Sequence, residues 1–350
     1  MRKLLERALL LLLVMRQERT DAMRLCAALV FVLSGCGGAA VSPDAGLDAA
    51  AEDASSADGA ALDPPYLSQM TSAADYATLS STSAEGIKYL APVPGKQAPS
   101  ALDEPLYFQN MRRFSWHLLF LQSFPALAQL SYSTYVSLVL SAHGRVLYGG
   151  AVRLLPGFRH PLSNRRGIVS FDLYTEPGAI TDQDVIAAHA ILASGAPGLA
   201  PLLAFAPDPS TQGAWAAGAA LRLRTASVAI ASLESPDQRP ELEVYAAGET
   251  YGWLVLGGPS TGPHDVLVTA GPPNAAGTLA ALITSDAHPA NDAVNLALAS
   301  RGAPSLRLGS AAEDQAIAFL RGAPVHLVAA VDRLVLEPVR AAEVEAYWAR

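Results

Sequence analysis

LAALITSDAHPANDAVNLALASRGAPSLRL, residues 279–308, is the stretch on which the reading of the fold turns. Its pattern predicts a strand over 279–284, a polar loop over 285–292, a helix over 293–300, an Arg301-Gly302-Ala303-Pro304 turn and a second strand over 305–308. Asn291 or Asp292 can accept from the first free NH groups of the helix, and Gly302 with Pro304 stops it. A loop that feeds a helix start suits anion chemistry, because unpaired NH groups and the helix dipole point at it.

Working outward, strands are expected over 251–256 and 265–269 before this stretch. A helix over 311–320, strands over 325–331 and 333–336, and a closing helix over 341–348 are expected after it. The earlier half reads as a strand over 106–109, a helix over 113–124 and strands over 135–140, 146–154 and 168–174 of an antiparallel sheet. A helix starting at Thr181 carries Asp184 three residues on, close to a capping box, and a strand over 199–205 follows. Residues 206–240, rich in Pro and Ala, read as a connector. The expected organisation is a signal region over 1–36, an acidic linker over 37–65, an irregular or partly helical lead-in over 66–103, an N-terminal domain with its connector over 104–240 and a second domain over 241–350. The fold class is α+β: a mixed α/β domain with an antiparallel sheet, then a compact β/β/α domain.

Composition narrows the function. Of 350 residues 51% are apolar, enough for two buried cores, and the chain is mildly acidic, with 32 acidic residues against 24 basic. Only Lys3, Lys88 and Lys96 are lysines, and no basic cluster follows the N-terminal region, so a nucleic-acid partner is set aside. The two cysteines, Cys26 and Cys36, both lie near the N-terminus, which excludes a disulfide framework and a cysteine-based zinc site in the body of the chain.

Residues 23–36, MRLCAALVFVLSGC, have one cation, a short apolar run and small residues ahead of a cysteine. The run is shorter than the roughly 20 residues a membrane span needs and fits a cleaved signal segment. Leu33-Ser34-Gly35-Cys36 resembles a bacterial lipobox, which implies a lipidated Cys36 as the mature N-terminus. A second apolar run at 8–15 lies upstream, separated by Arg16, Glu18, Arg19 and Asp21, and points to translation starting at Met23. Residues 37–65 hold six acidic residues, no basic ones and no aromatics, and are expected to form a disordered spacer. Gly37 after the cysteine implies, by resemblance to known sorting rules, the outer membrane.

The central stretch resembles the phosphohistidine swivelling domain of PEP-utilising enzymes, in the version found in PEP/pyruvate-binding domain proteins. There the junction reads Pro-x-Ser-His-Val-Asn and, after several residues, Gly-x-Pro. Val294, Asn295, Gly302 and Pro304 fall on that pattern; Ala290 holds the proline's place and Pro289 stands one residue early. The family's Ser-His pair falls on Asp292 and Ala293, so the position of the phosphoryl carrier is an alanine, which has no nucleophile. The N-terminal half is similar to the same family's first domain through Tyr107-Phe108, Arg113-Phe114 and His117. The resemblance implies a relative without the nucleotide-grasping domain that supplies the phosphoryl group. No Walker-type loop occurs either, since Gly95-Lys96 lacks both its upstream glycine and its Ser or Thr.

Four constellations remain. Gly258-Pro259-Ser260-Thr261-Gly262 matches G-x-S-x-G, but a strand rather than a helix follows, so it reads as a loop. Asp286, His288 and Asp292 match no zinc spacing, and no metal or cofactor is expected. His288 is the one candidate for a displaced phosphoryl carrier. His117 reads as a packed core histidine, and Arg165 with Arg166 as solvated charges rather than an anion patch. Two functions follow: a non-catalytic envelope lipoprotein, anchored to the membrane and serving a protein partner, or the carrier subunit of a split PEP-utilising enzyme working through His288.

Overall fold

The computed structural model describes residues 63–81, 86–258, 262–273, 278–331 and 333–350. Over them the chain is α+β, with similar shares of helix and strand and two mixed sheets of seven strands each. The first sheet holds β1 (Tyr66–Leu67), β2 (Ile87–Pro92), β3 (Tyr107–Gln109), β4 (Leu147–Arg159), β5 (Arg166–Phe171), β6 (Leu203–Phe205) and β7 (Ala229–Ile230), in the order β1-β3-β2-β4-β5-β6-β7. Pairing is antiparallel as far as β5 and parallel from β5 to β7.

Side chains alternate across these strands, so each face has its own cover. Tyr89, Phe108 and Tyr148 face the main core, where the helices Asp182–Gly195 and Gly213–Thr225 lie, with Val185, Leu192, Ala219 and Leu223 buried. Leu90, Tyr107 and Leu147 face the other way and are covered by Phe120, Leu121 and Val139. Those three belong to a lobe made of the helix His117–Gln122, a single helical turn at Tyr132–Tyr135 and a π-helical turn at Val136–Leu140.

The second sheet holds β8 (Leu242–Ala246), β9 (Gly248–Leu256), β10 (Asp265–Thr269), β11 (Ala281–Thr284), β12 (Ser305–Leu308), β13 (Pro324–Ala330) and β14 (Arg333–Pro338), in the order β14-β13-β9-β10-β11-β12-β8. Strands β9 to β12 are parallel, with Val266 opposite both Leu254 and Ala281, and Leu282 opposite Ser305. Strands β8, β13 and β14 join antiparallel. Parallel strands covered on both sides are apolar throughout, and β10 and β11 are buried at every position but Thr269.

Three expectations are corrected. Residues 66–103, expected as an irregular or partly helical lead-in, are partly helical but also hold strands of the first sheet. They supply β1, the helix Ala73–Leu79 and β2, which sits between β3 and β4 because Ile87, Tyr89, Leu90 and Ala91 are all buried. Residues 135–140 are helical rather than a strand: Ser131 caps the turn by accepting from the Thr134 amide at 3.2 Å, and Tyr135, Leu138 and Val139 then meet the lobe core at helical spacing. The connector 206–240 contains a full helix, because Ala216, Ala219 and Leu223 form one buried stripe and alanine favours the helix.

The two sheets share one core, in which Tyr76, Val169 and Leu203 pack in the same cluster as Leu254, Ile317 and Leu327. A polar joint pins them. Asp314 caps the helix Gln315–Phe319 by accepting from the Ile317 amide at 3.0 Å, while its other oxygen accepts from the Gly157 amide of β4 at 2.6 Å. Gly157 and Gly167, both with left-handed φ, let the backbone approach: a Cβ on Gly157 would stand 2.6 Å from Leu308 and Pro240, and one on Gly167 2.3 Å from the Asp314 carboxylate. Arg166 is a further correction. It is 7% exposed, donates to the carbonyls of Gly157 and Arg239 at 2.8 and 3.1 Å, and pairs with Glu241 at 2.6 Å. Arg165 beside it is exposed. A second seam joins the two ends of the described chain. Arg112 makes a two-pronged bond to Glu343 at 3.0 and 2.8 Å, Ser80 donates to the Pro338 carbonyl at 3.3 Å, and Arg340 pairs with Asp63.

Candidate functional site

Strand β11 delivers Thr284 to the end of the sheet with its side chain buried, and the loop then doubles back over it. The loop base is fixed by the Ser285 and Asp286 amides, which donate to the carbonyls of Thr269 and Ala270 at 3.0 and 2.7 Å. The Ser285 hydroxyl accepts from the Ala312 amide at 2.9 Å. Asp292 then caps the helix Ala293–Ala299, accepting from the Val294 amide at 3.0 Å. The helix buries Val294, Asn295 and Leu298, and that spacing turns Ala293 and Leu296 outward.

Asn295, 1% exposed, organises the junction. Its Oδ1 accepts from the Ser305 hydroxyl at 2.5 Å, and its Nδ2 donates to the Pro289 carbonyl at 3.1 Å. The same Oδ1 lies 3.4 Å from His288 Nε2. Nδ1 lies 3.4 Å from both the Thr284 hydroxyl and the Asp286 carbonyl. The ring rests 4.5 Å from that of Tyr245 on β8. Thr284, His288, Asn295, Ser305 and Tyr245 therefore form a latch that holds the loop against the helix start.

The remaining motif positions divide cleanly. Gly302, with φ +70°, ends the helix in the left-handed conformation, and the Pro304 carbonyl accepts from the Leu282 amide at 3.0 Å, tying β12 to β11. Ala293 stands exposed at the first helical position, where the resemblance puts the carrier histidine. Asp286 points to solvent and Asp292 is committed to its cap. Among the described residues no cluster of three His, Cys, Asp or Glu forms, and no helix is long and apolar enough to cross a membrane.

Elsewhere, the described residues 262–264 that lead from the G-x-S-x-G stretch into β10 form no helix; Ser260 itself, like Cys36, lies outside the described residues. His117 is 3% exposed, and burial, with Lys88 nearby, pushes its pKa down to about 3, so the ring is neutral. It is a core histidine with its Nε2 unpartnered. What sequence reasoning missed is the Asp314 joint. Glycines inside β4 and β5 were its only local signal, since glycine within a strand marks a close backbone approach.

The chain matches no family model, no curated protein and no solved structure.

Proposed function

We propose that this protein is a non-catalytic cell-envelope lipoprotein, held to the membrane through Cys36, that uses the scaffold of a PEP/pyruvate-binding phosphotransferase relative for binding. The observation that carries this reading is the state of the junction. Asn295, Gly302 and Pro304, which shape it, are present and in use, whereas the carrier position is a methyl group on the surface at Ala293. A phosphoryl carrier domain has to swing between two sites. The core shared by the two sheets and the Gly157–Asp314 bond favour a fixed body instead, and the β/β/α half serves as a scaffold. The anchor places the protein at the outer membrane, facing the periplasm or the cell surface, with an envelope protein as its partner.

Two measurements test the reading. Mass spectrometry of membrane-extracted protein is expected to find the mature N-terminus at Cys36 with acyl chains attached, and Cys36→Ser to leave the chain unprocessed; a mature N-terminus elsewhere removes the anchor. Incubation with labelled ATP or PEP and extract of the source cells is expected to leave the protein unlabelled. Acid-labile label on His288, lost in His288→Gln, would overturn the non-catalytic assignment in favour of a carrier subunit.

A further inference from the structure

From residue 114 to residue 144 the chain contains not one Asp, Glu, Lys or Arg, although the protein as a whole carries a net charge of −8. This segment is the lobe over the outer face of the first sheet, and it exposes large apolar and aromatic groups among small polar ones such as Ser115, Ser133 and Thr134. Trp116 is 45% exposed, Leu119 48% and Tyr132 43%. Trp116 caps the short helix and Leu119 lies one turn on, so the two share a side, while Phe120 and Leu121 fill the core beneath. Half-exposed Trp and Tyr on a surface free of Asp, Glu, Lys and Arg match the lipid–water interface, where an amphipathic ring keeps its polar atom wet and its body in the acyl boundary.

The start of the described chain ties this lobe to the segment that leads to Cys36. Residues 63–66 are packed onto this lobe. The Tyr66 ring lies 4.8 Å from Tyr107, 6.0 Å from Phe120 and 6.1 Å from Phe124, and Arg113 donates to the Asp63 carbonyl at 2.9 Å. Only residues 37–62 separate that point from Cys36, and a chain of that length reaches no further than about 90 Å when fully extended. An anchor at Cys36 therefore delivers this face to the bilayer at high local concentration. Every Asp and Glu lies outside residues 114–144, so repulsion between anionic headgroups and the net-acidic chain favours approach through this lobe. We infer that the lobe of residues 114–144 docks on the lipid surface, with Trp116, Leu119 and Tyr132 in the interface. This inference rests on the lipid-anchor reading for its geometry, but the lobe's own affinity can be measured without the anchor.

The test uses residues 37–350, which lack the apolar signal runs and contain no cysteine, with either Leu119→Cys or Leu221→Cys bearing an environment-sensitive fluorophore. Leu221, 76% exposed, lies on the helix Gly213–Thr225 across the sheet and serves as the control. On titration with vesicles of phosphatidylethanolamine and phosphatidylglycerol, the probe at 119 is expected to shift to the blue and be quenched by nitroxide-labelled lipid, while the probe at 221 stays unchanged. Trp116→Ser with Tyr132→Ser is expected to weaken partitioning roughly tenfold, as the loss of two half-exposed apolar bodies implies. An unshifted probe at 119, or equal shifts at both positions, overturns the inference. So does a lipid-independent shift that grows with protein concentration, since a second copy then covers the lobe. Lipidated protein with a wet Leu119 sinks only the docking; a chain with no lipid on Cys36 whose Leu119 still enters vesicles sinks only the anchor.

Discussion

Replacing Asp314 with asparagine isolates the cost of holding a carboxyl group in the joint between the sheets. The side chain is 1% exposed, and burial pushes its pKa from an ordinary 3.8 up to about 6, against the opposing pull of the Ile317, Gly157 and Ala316 amides and of Arg166. Because the folded pKa is raised, the protonated form is the one the fold prefers. The associated stability is fully present below pH 3.8 and is lost as pH rises through about 6, a total of about 3 kcal/mol. The substituted amide cannot ionise. It keeps one acceptor and turns an NH₂ toward a backbone NH, a pH-independent cost of about 1–3 kcal/mol. The wild-type advantage over Asp314→Asn should therefore shrink by up to about 3 kcal/mol between pH 4 and pH 7. Urea unfolding of both proteins at half-unit steps of pH measures it, and the difference cancels the other carboxylates. A difference that stays flat with pH would falsify the reasoning. One that grows with pH would mean that Arg166 and the amides hold the carboxylate ionised.

Gly157→Ala and Gly167→Ala should each cost about 2 kcal/mol or more, because a left-handed φ and a clash coincide. Gly178→Ala, with φ +75° and open space around it, should cost only about 1 kcal/mol; equal melting temperatures for all three would remove the close-approach argument. Asn295→Ala leaves the Ser305 hydroxyl and the Pro289 carbonyl without their partner and should cost about 1–3 kcal/mol by denaturant titration, whereas an unchanged midpoint would mean the latch does not exist. His117, with its folded pKa lowered to about 3 from 6.5, makes the unfolded chain bind the extra proton between those values, so its contribution to stability rises with pH across that window. Its ring signals in an NMR titration should not move between pH 5 and 8, and a midpoint near 6.5 would contradict its burial.

What could be read along the chain was whatever is decided within a few residues. The helix Asp182–Gly195 was legible because Thr181 and Asp184 close a reciprocal cap, the Asp184 amide donating to the Thr181 hydroxyl at 3.2 Å and the Thr181 amide to the Asp184 carboxylate at 3.0 Å. β10, β12 and the helix Ala341–Trp348 likewise follow from local pattern. The loop and helix around Asp292 were legible for the same reason. Strand β2 was not, since its place between β3 and β4 depends on partners far along the chain. Nor were the partners of His288, which come from the end of β11, the first turn of the helix and the edge strand β8. Residues 135–140 misled because Tyr and Val favour strands, and only the lobe core beneath them selects the helical turn.

The seam that ties Arg112 to Glu343, Ser80 to Pro338 and Asp63 to Arg340 also imposes an order of events on the nascent chain. A polypeptide emerges N-terminus first, whether from a ribosome or through a translocation pore, so residues 63–112 are present long before the segment that closes over them. Until residues 338–343 arrive, the helix Ala73–Leu79 lacks its hydrogen bond to Pro338, and Arg112 lacks its carboxylate. Contacts this far apart in sequence form late, because the intervening loop must be closed first. The last stretch to be made thus closes over the first, and a chain that stalls or is cut before Arg340 presents its unlatched leading edge to proteases.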